Sequence, residues 1–261
     1  MQFYQSLDMV PIIGVFVAVS LVTVLMLEGG YRLGTWWQAR TVEEKEGPTA
    51  MIVGSLLAIM GFLLAITMGM SLERFDKRRE LVLAEANAIG TTYLRAGFFP
   101  EPTSNEIRGL LREYASLRVV DVRDPERISV RIQQSNEIHA KLWSITEEQA
   151  RTSPQSEVLA LFVISLNEMI DLHGTRVTAG IDARVPTTVV ILLILGSMVA
   201  MSMVGYSTGL QQRRTPIPAV FLILVLSSVI TLVVDLDRSH GGFLKVSQQA
   251  LIDVQKQIGP L

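Results

Sequence analysis

Four long apolar stretches without a charge constrain this chain more than any other feature. They cover residues 10–27, 50–72, 185–206 and 217–234. A helix needs roughly 20 apolar residues to cross the hydrocarbon core of a bilayer, and strands buried in a soluble protein are much shorter. The sequence therefore predicts an all-α integral membrane protein with four transmembrane helices. They form two pairs, in residues 1–72 and 185–236.

The composition of the rest of the chain predicts a polar helical domain between the two pairs. Hydrophobic residues make up 49% of the 261 residues, and charged residues only 18%. The charges are concentrated in residues 73–184, which read as helices, and residues 237–261 form an amphipathic tail. The second span is expected to continue as a helix beyond the membrane. Later helices are expected to start at Thr103 or Ser104, as a capping box with Glu106, then near Pro125 and at Ser153-Pro154.

Charge and motif content exclude several classes of function. A net charge of -2 gives no basis for nucleic-acid binding. There is no cysteine, and no two of the three histidines, His139, His173 and His240, are spaced for one helical face, as a metal site would require. His139 and His173 lie on polar helices and read as ordinary surface or interfacial residues. Asn167, Glu168 and Asp171 near His173 complete no ligand set. No catalytic motif is present, which predicts a protein that is not an enzyme and needs no cofactor or metal.

Basic residues near the spans indicate the orientation. One side of the membrane would carry Arg32, Arg40, Lys45, Arg213 and Arg214. The other side would carry Arg74, Lys77, Arg78, Arg79, Arg176, Arg184, Arg238 and Lys245. Because cytoplasmic loops are enriched in Lys and Arg, this count favours a cytoplasmic central domain with both termini cytoplasmic, in the cell inner (plasma) membrane.

The second span carries small residues at three- and four-residue spacing. They are Gly54, Ala58, Gly61, Ala65 and Gly69. Small residues allow neighbouring helices to approach closely in lipid. The plain interpretation is tight packing within one chain, and the alternative is packing of several copies around an axis.

A second row of residues lies on the adjoining face of this span. It consists of Ser55, Ala58, Phe62, Ile66, Gly69 and Glu73. A mostly apolar row with a polar residue at each end suits a pore constriction that gates by dewetting. It suits a lipid-facing stripe equally well, and periodicity does not separate the two.

Charged residues follow the second and fourth spans. Glu73, Arg74, Lys77 and Arg78 are explained by the helix leaving the membrane, and a role at a channel entrance is the second interpretation. Asp235 and Asp237 follow the fourth span, and the same plain explanation, charges at a membrane surface, is favoured for them.

The run from Ser71 to Asn87, SLERFDKRRELVLAEAN, resembles the bestrophin family where its second span enters the cytoplasm. The whole chain resembles the bacterial bestrophin-like domain proteins more closely, at residues 85–91, 235–238 and 246–247. This resemblance implies a homopentameric ion channel lined by the second span, with Ala58, Phe62 and Ile66 as its apolar neck. The chain departs from the pattern at Asp76 and at residues 239–240, and no acidic calcium clasp is recognisable.

Two hypotheses from different classes follow. The preferred one is an oligomeric, pentameric bestrophin-like channel for monovalent ions, surrounded by membrane lipid. The rival is a membrane-anchored structural or sensory protein whose helical domain binds a partner or ligand and transports nothing. A transporter is less favoured, because the spans lack the intramembrane charges and broken helices expected near a midplane site.

Overall fold

The computed structural model describes residues 10–41, 46–119, 125–181, 184–238 and 242–260, which are helical with connecting segments and contain no strand. Lys45 and His240 lie outside the described residues. The helices are α1 (Ile12–Gln38), α2 (Glu46–Ala96), α3 (Thr103–Arg118), α4 (Pro125–Thr152), α5 (Glu157–Ile181), α6 (Thr187–Leu210), α7 (Pro216–Asp237) and α8 (Gln249–Ile258). The predicted all-helical fold is confirmed.

Five helices in the described part of the chain are long and apolar enough to cross a membrane. Four of them, α1, α2, α6 and α7, contain the predicted spans, and the fifth is α5. Length and composition alone do not separate α5 from the others. It packs Phe162 and Leu166 into the core of the polar helices, so we describe it with them. The number of four spans stays a prediction.

The membrane helices differ from the predicted spans at their ends. α1 continues to Gln38, well past residue 27. In this extension Arg32 donates a hydrogen bond to the carboxylate of Glu28 one turn earlier, at 2.9 Å. α2 runs without interruption from Glu46 to Ala96. This confirms that the helix of the second span continues into the polar segment.

Two predicted helix starts are wrong in detail. The backbone is already helical at Pro102, with φ -88° and ψ -6°, so Thr103 and Ser104 lie inside the first turn of α3 and no side chain caps it. α5 begins at Glu157, where the hydroxyl of Ser156 accepts a hydrogen bond from the amide of Leu159 at 3.2 Å. The chain at Ser153-Pro154 forms the preceding turn instead.

The chain divides into two compact units. The membrane unit comprises residues 1–74 and 184–244, and the helical unit comprises residues 75–183 and 245–261. In the membrane unit, α1 crosses α6 in close backbone contact. A Cβ on Gly30 would overlap the carbonyl oxygen of Ser202, and one on Gly205 would overlap that of Leu27. Gly34 and Gly209 meet in the same way one turn further along.

The helical unit has an apolar core formed by the inward faces of its helices. Its fully buried members include Ile89, Ile107, Leu111, Leu142, Phe162 and Leu166. The helical periodicity that the sequence shows in this segment therefore identifies core residues correctly. α8 packs on the same core through Leu251, Val254 and Ile258, so the amphipathic tail binds its own chain. That helix begins at Gln249, so it covers only part of the predicted amphipathic tail, and Phe243 before it is 71% exposed.

Candidate pore-lining face and buried polar centres

The membrane part of α2 has one face packed against its own chain. Met60, Thr67 and Ser71 are buried there, and the hydroxyl of Ser197 on α6 lies 3.8 Å from the Met60 sulfur. Successive residues of a helix are about 100° apart, so Phe62 lies about 200° around the helix from Met60. The packed face and the face that carries Phe62 are therefore opposite each other.

The whole predicted row lies on the open face of α2. Its members, Ser55, Ala58, Phe62, Ile66, Gly69 and Glu73, are all exposed in the single chain. Phe62 is 66% and Ile66 is 46% exposed, large fractions for apolar side chains. This face is open to lipid or to another copy of the chain. The assignment of Ala58, Phe62 and Ile66 to a pore neck stays a prediction.

The small residues of α2 do not pack within the chain. No atom lies within 4 Å of a Cβ built on Gly54, Gly61 or Gly69, and Ala65 is exposed. The interpretation of these glycines as a tight intrachain contact is wrong. The contact is made instead between α1 and α6, by the pairs Gly30/Gly34 and Gly205/Gly209. The sequence analysis missed these pairs, although both have the four-residue glycine spacing that favours close helix contact in lipid.

The charges after the predicted span have different environments. The guanidinium of Arg74 donates to the carbonyl of Met70 at 3.1 Å, and the ammonium of Lys77 lies 3.4 Å from the Glu80 carboxylate. Arg78 is only 7% exposed, so its assignment to an exposed entrance cluster is wrong for the single chain. The reason is its position two turns before Glu85, on the face of α2 that packs into the helical unit.

A charged centre lies inside the helical unit, around Glu85. This carboxylate is fully buried and accepts hydrogen bonds from Tyr114 at 2.7 Å, Arg118 at 2.7 Å and Arg176 at 2.5 Å. Arg176 also donates to the side chain of Gln248 at 2.7 Å. The centre therefore joins α2, α3, α5 and the segment before α8 through polar contacts.

The electrostatics of the centre keep Glu85 ionised. Burial is the largest single effect and opposes ionisation, but the positive charges of Arg118 and Arg176 and the hydrogen bonds from Arg176 and Tyr114 prevail. Together they lower the pKa of Glu85 to about 2. Burial, and then the negative charge of Glu85, raise the pKa of Tyr114 well above its usual value. Tyr114 therefore keeps its proton and remains the donor.

Two histidines border this centre. His139 and His173 are buried, with ring centroids 5.0 Å apart, and the Nδ1 atom of His173 lies 4.0 Å from the Glu85 carboxylate. Their expected surface position is wrong, because both lie on helix faces that pack against Tyr114. Burial, with the charge of Arg118, lowers the pKa of His139 to about 4, so this side chain is neutral at pH 7.

The polar residues that precede His173 in the sequence lie at the surface. Asn167, Glu168 and Asp171 are exposed on the opposite part of α5. Within the described residues, no three histidine, aspartate or glutamate side chains converge in an arrangement that would hold a metal ion.

A second buried polar centre lies at the end of α7, within the membrane unit. Asp235 accepts hydrogen bonds from the amides of Phe243 at 2.9 Å and Leu244 at 3.0 Å. Asp237 accepts one from the amide of Val185 at 2.8 Å. Arg238 donates to the carbonyl of Val10 at 2.9 Å. All three charged side chains are buried, so the explanation of the two aspartates as charges at a membrane surface is wrong.

The centre at the end of α7 connects segments that are distant in the sequence. It joins the end of α7 to the segments that precede α1 and α6 and to the chain that follows α7. Gly242 allows the last of these contacts, because a Cβ there would overlap the carboxylate of Asp235. The carboxylates therefore satisfy backbone amides that no helix satisfies.

A model of the bestrophin-like domain matches residues 11–251. The chain belongs to the bestrophin-like family. The two buried polar centres lie in stretches on which the resemblance rests, Glu85 in residues 85–91 and Asp235 in residues 235–238. Residues of the family pattern, Glu85 and Asp235, therefore make contacts that hold segments of the chain together.

Solved bestrophin homologues have the same fold. A bacterial bestrophin homologue from Klebsiella pneumoniae is 16% identical, with a TM-score of 0.67, and the match covers 95% of this chain and 97% of that chain. Two variants of the bacterial bestrophin homologue from this organism match at 16% identity, with TM-scores of 0.69 and 0.70. The match with the first variant covers 93% of this chain and 97% of that chain. The match with the second variant covers 95% of this chain and 96% of that chain. No curated protein sequence matches this chain. With its long apolar helices, this bestrophin-like protein is a membrane protein.

Proposed function

We propose that the protein is an oligomeric, pentameric ion channel for monovalent ions, lined by α2, and not an enzyme. The observation that carries this proposal is the row of residues from Ser55 to Glu73, exposed on the side of α2 opposite its packed face. Membership of the bestrophin-like family supports it. We place the protein in the cell inner membrane, with the helical unit and both termini cytoplasmic.

The open face has the chemistry of a narrow, hydrophobic passage. Several copies of α2 around an axis would bring rings of Ala58, Phe62 and Ile66 together as a neck that opposes wetting. Ser55, Gly69 and Glu73 would line the wider regions on either side. Gly54, Gly61 and Ala65 lie beside this row. Among the described residues, a Cβ on either glycine meets no atom within 4 Å outside its own helix, and Ala65 is exposed, so these positions suit contact with the next copy.

The entrance beyond the neck would carry Glu73, Arg74 and Lys77. Arg78 is left out of this entrance, since its side chain is buried in the chain's own helical unit. Mixed charges at the entrance give no preference for anions or cations, so the proposal does not specify the sign of the conducted ion.

The test is ion conductance of the purified protein in bilayers, with matched pairs of variants. Phe62→Ala and Ile66→Ala are compared with Phe221→Ala on α7 and Ile191→Ala on α6. The control side chains are equally exposed in the single chain, at 64% for Phe221 and 45% for Ile191. We expect the neck variants to raise conductance or weaken gating, because they widen a dry constriction, and the controls to leave both unchanged.

Equal behaviour of all four variants would show that the row faces lipid. Absence of ion flux from the unmodified protein, together with a stable partner or ligand on the helical unit, would instead support a membrane-anchored structural or sensory protein. Imaging of the solubilised particle checks the subunit number independently. Five α2 helices around a central axis are expected, and an assembly without an axial path would contradict the channel.

A further inference from the structure

A groove of about 580 Å³ lies on the surface of the membrane unit, between α1 and α6. Its α1 side is formed by Leu25, Gly29, Leu33 and Trp36, and its α6 side by Met203 and Tyr206. A Cβ built on Gly29 meets no atom within 4 Å, so the missing side chain leaves a notch between two leucines. The lining is mostly apolar and would hold water poorly.

The polarity of the groove changes along its length. One end, at Leu25 and Met26, lies in the uncharged stretch of α1. The other end carries Trp36 and Trp37, whose ring centroids are 6.0 Å apart. Tryptophans of this kind are enriched where a membrane helix reaches the headgroups. At 1.5 Å per residue, the α1 side extends about 18 Å, close to the length of an acyl chain.

A cation lies at the tryptophan end of the groove. The guanidinium of Arg40 is 3.8 Å from the ring centroid of Trp36. Glu28, which pairs with Arg32 at 2.9 Å and with Arg214 at 3.4 Å, lies about two turns earlier on a neighbouring side of α1. Arg40 therefore favours a negatively charged group at the tryptophan end.

We propose that this groove binds an anionic phospholipid, with one acyl chain over Gly29 and the phosphate beside Arg40. An anionic phospholipid complements the groove along its length, with an acyl chain for the apolar end and a phosphate for the end that carries Arg40. The tryptophan rings would contact the glycerol region between the two. The site does not depend on the channel proposal, because the predicted pore row lies on α2, which does not line this groove.

The first test fills the groove. Gly29→Leu places a side chain where the structure leaves open space, so the fold is expected to tolerate it. Gly109→Leu is the matched control, since a Cβ there also meets no atom within 4 Å but lies outside the membrane unit. Native mass spectrometry of protein extracted from phosphatidylglycerol-containing bilayers should show one retained lipid per chain for the unmodified protein and the control, and loss of that lipid for Gly29→Leu.

The second test removes the headgroup contact. In bilayers with equal amounts of phosphatidylglycerol and phosphatidylcholine, the retained lipid should favour phosphatidylglycerol by about fivefold, the effect of one cation near a membrane surface. Arg40→Gln should bring this ratio close to one while a lipid is still retained. Equal retention by Gly29→Leu, or no headgroup preference in the unmodified protein, would overturn the proposal.

A third measurement asks whether another copy of the chain fills the groove. The sequence contains no cysteine, so Leu33→Cys introduces a single thiol at the groove. We expect it to react with a membrane-soluble thiol reagent and to form no disulfide between copies. Efficient disulfide formation between copies in the bilayer would show that a subunit contact, and not a lipid, occupies the site.

Discussion

The two units of this protein hold their helices together by different means. In the membrane unit, α1 and α6 meet at glycines, where backbone touches backbone at Gly30 and Gly205. In the helical unit, an apolar core surrounds a buried carboxylate, Glu85, which two arginines and a tyrosine bind. The closest helix contact of the membrane unit excludes side chains, and its buried charges lie at the end of α7. The helical unit instead places a charged centre inside its apolar core.

The difference follows from the surroundings of each unit. Lipid tails are as apolar as leucine, so membrane helices gain little by burying apolar side chains and associate through close packing of small residues. The amphipathic helices of the other unit gain from apolar burial, and a buried ion pair adds directional contacts at an energetic cost. Removing one partner of the ion pair should therefore do more harm than enlarging a glycine.

The largest effect is expected for Glu85→Ala. It leaves Arg118 and Arg176 buried without their shared carboxylate, which should destabilise the helical unit by about 3–5 kcal/mol. Trp143, on α4 beside the core, reports on this unit when Trp36 and Trp37 are replaced by phenylalanine. The control is Glu168→Ala, at an exposed position of α5. Equal unfolding midpoints for the two variants would show that the charged centre does not stabilise the unit.

A smaller loss is expected for Gly205→Ala in the membrane unit. Its Cβ would overlap the carbonyl of Leu27, so α1 and α6 must separate, at about 1–3 kcal/mol. Fluorescence of Trp36 and Trp37 in a Trp143→Phe background measures the unfolding midpoint. Gly54→Ala has open space and should leave the midpoint unchanged. If both variants behaved alike, the glycine contact between α1 and α6 would be unimportant.

Acidification should destabilise the helical unit more than the membrane unit. His139 has an ordinary pKa of 6.5 and a native pKa of about 4, so between these values the unfolded chain binds more protons and stability falls as pH falls. We expect this loss to be on the order of 1 kcal/mol. The Trp143 signal should show this loss, and His139→Leu should reduce it without abolishing it, because burial also lowers the pKa of His173 to about 4. A pH-independent midpoint from pH 7 to 4 would contradict the assignment.

Below that range Glu85 adds a second loss in the same direction. Its pKa is lowered from 4.5 to about 2, so its contribution is complete above pH 4.5 and disappears as pH falls through 2. Glu85→Gln should lack this acid-dependent loss, whereas the fluorescence of the membrane unit should not follow it.

The smallest effect on the chain itself is expected for Gly61→Leu. Among the described residues, no atom outside the helix lies within 4 Å of a Cβ at this position, so the free energy of unfolding should stay within about 0.5 kcal/mol of that of the unmodified protein. Contact between copies should nevertheless weaken, because a leucine prevents close helix approach. Particle size in detergent distinguishes these outcomes. An unchanged oligomer would place this face of α2 against lipid.

Sequence reasoning was most accurate where a single helix determines the answer. The apolar stretches and the continuous helix of α2 follow from the length of each segment and its local composition. Errors arose where two segments meet. The cap of α3 was misplaced because the backbone at Pro102 turns early, and His139 was assigned to the surface because its partner, Tyr114, lies on another helix.

Membrane insertion, helical structure and membership of the bestrophin-like family were determined by the sequence alone, because they depend on local composition and on a pattern along one chain. The tertiary structure decided which glycines pack, Gly30 and Gly205 rather than Gly54 and Gly61, and which charges are buried, among them Glu85 and Asp235. The physical reason is that spacing along a helix determines which residues share a face, whereas the neighbour opposite that face is set by distant parts of the chain.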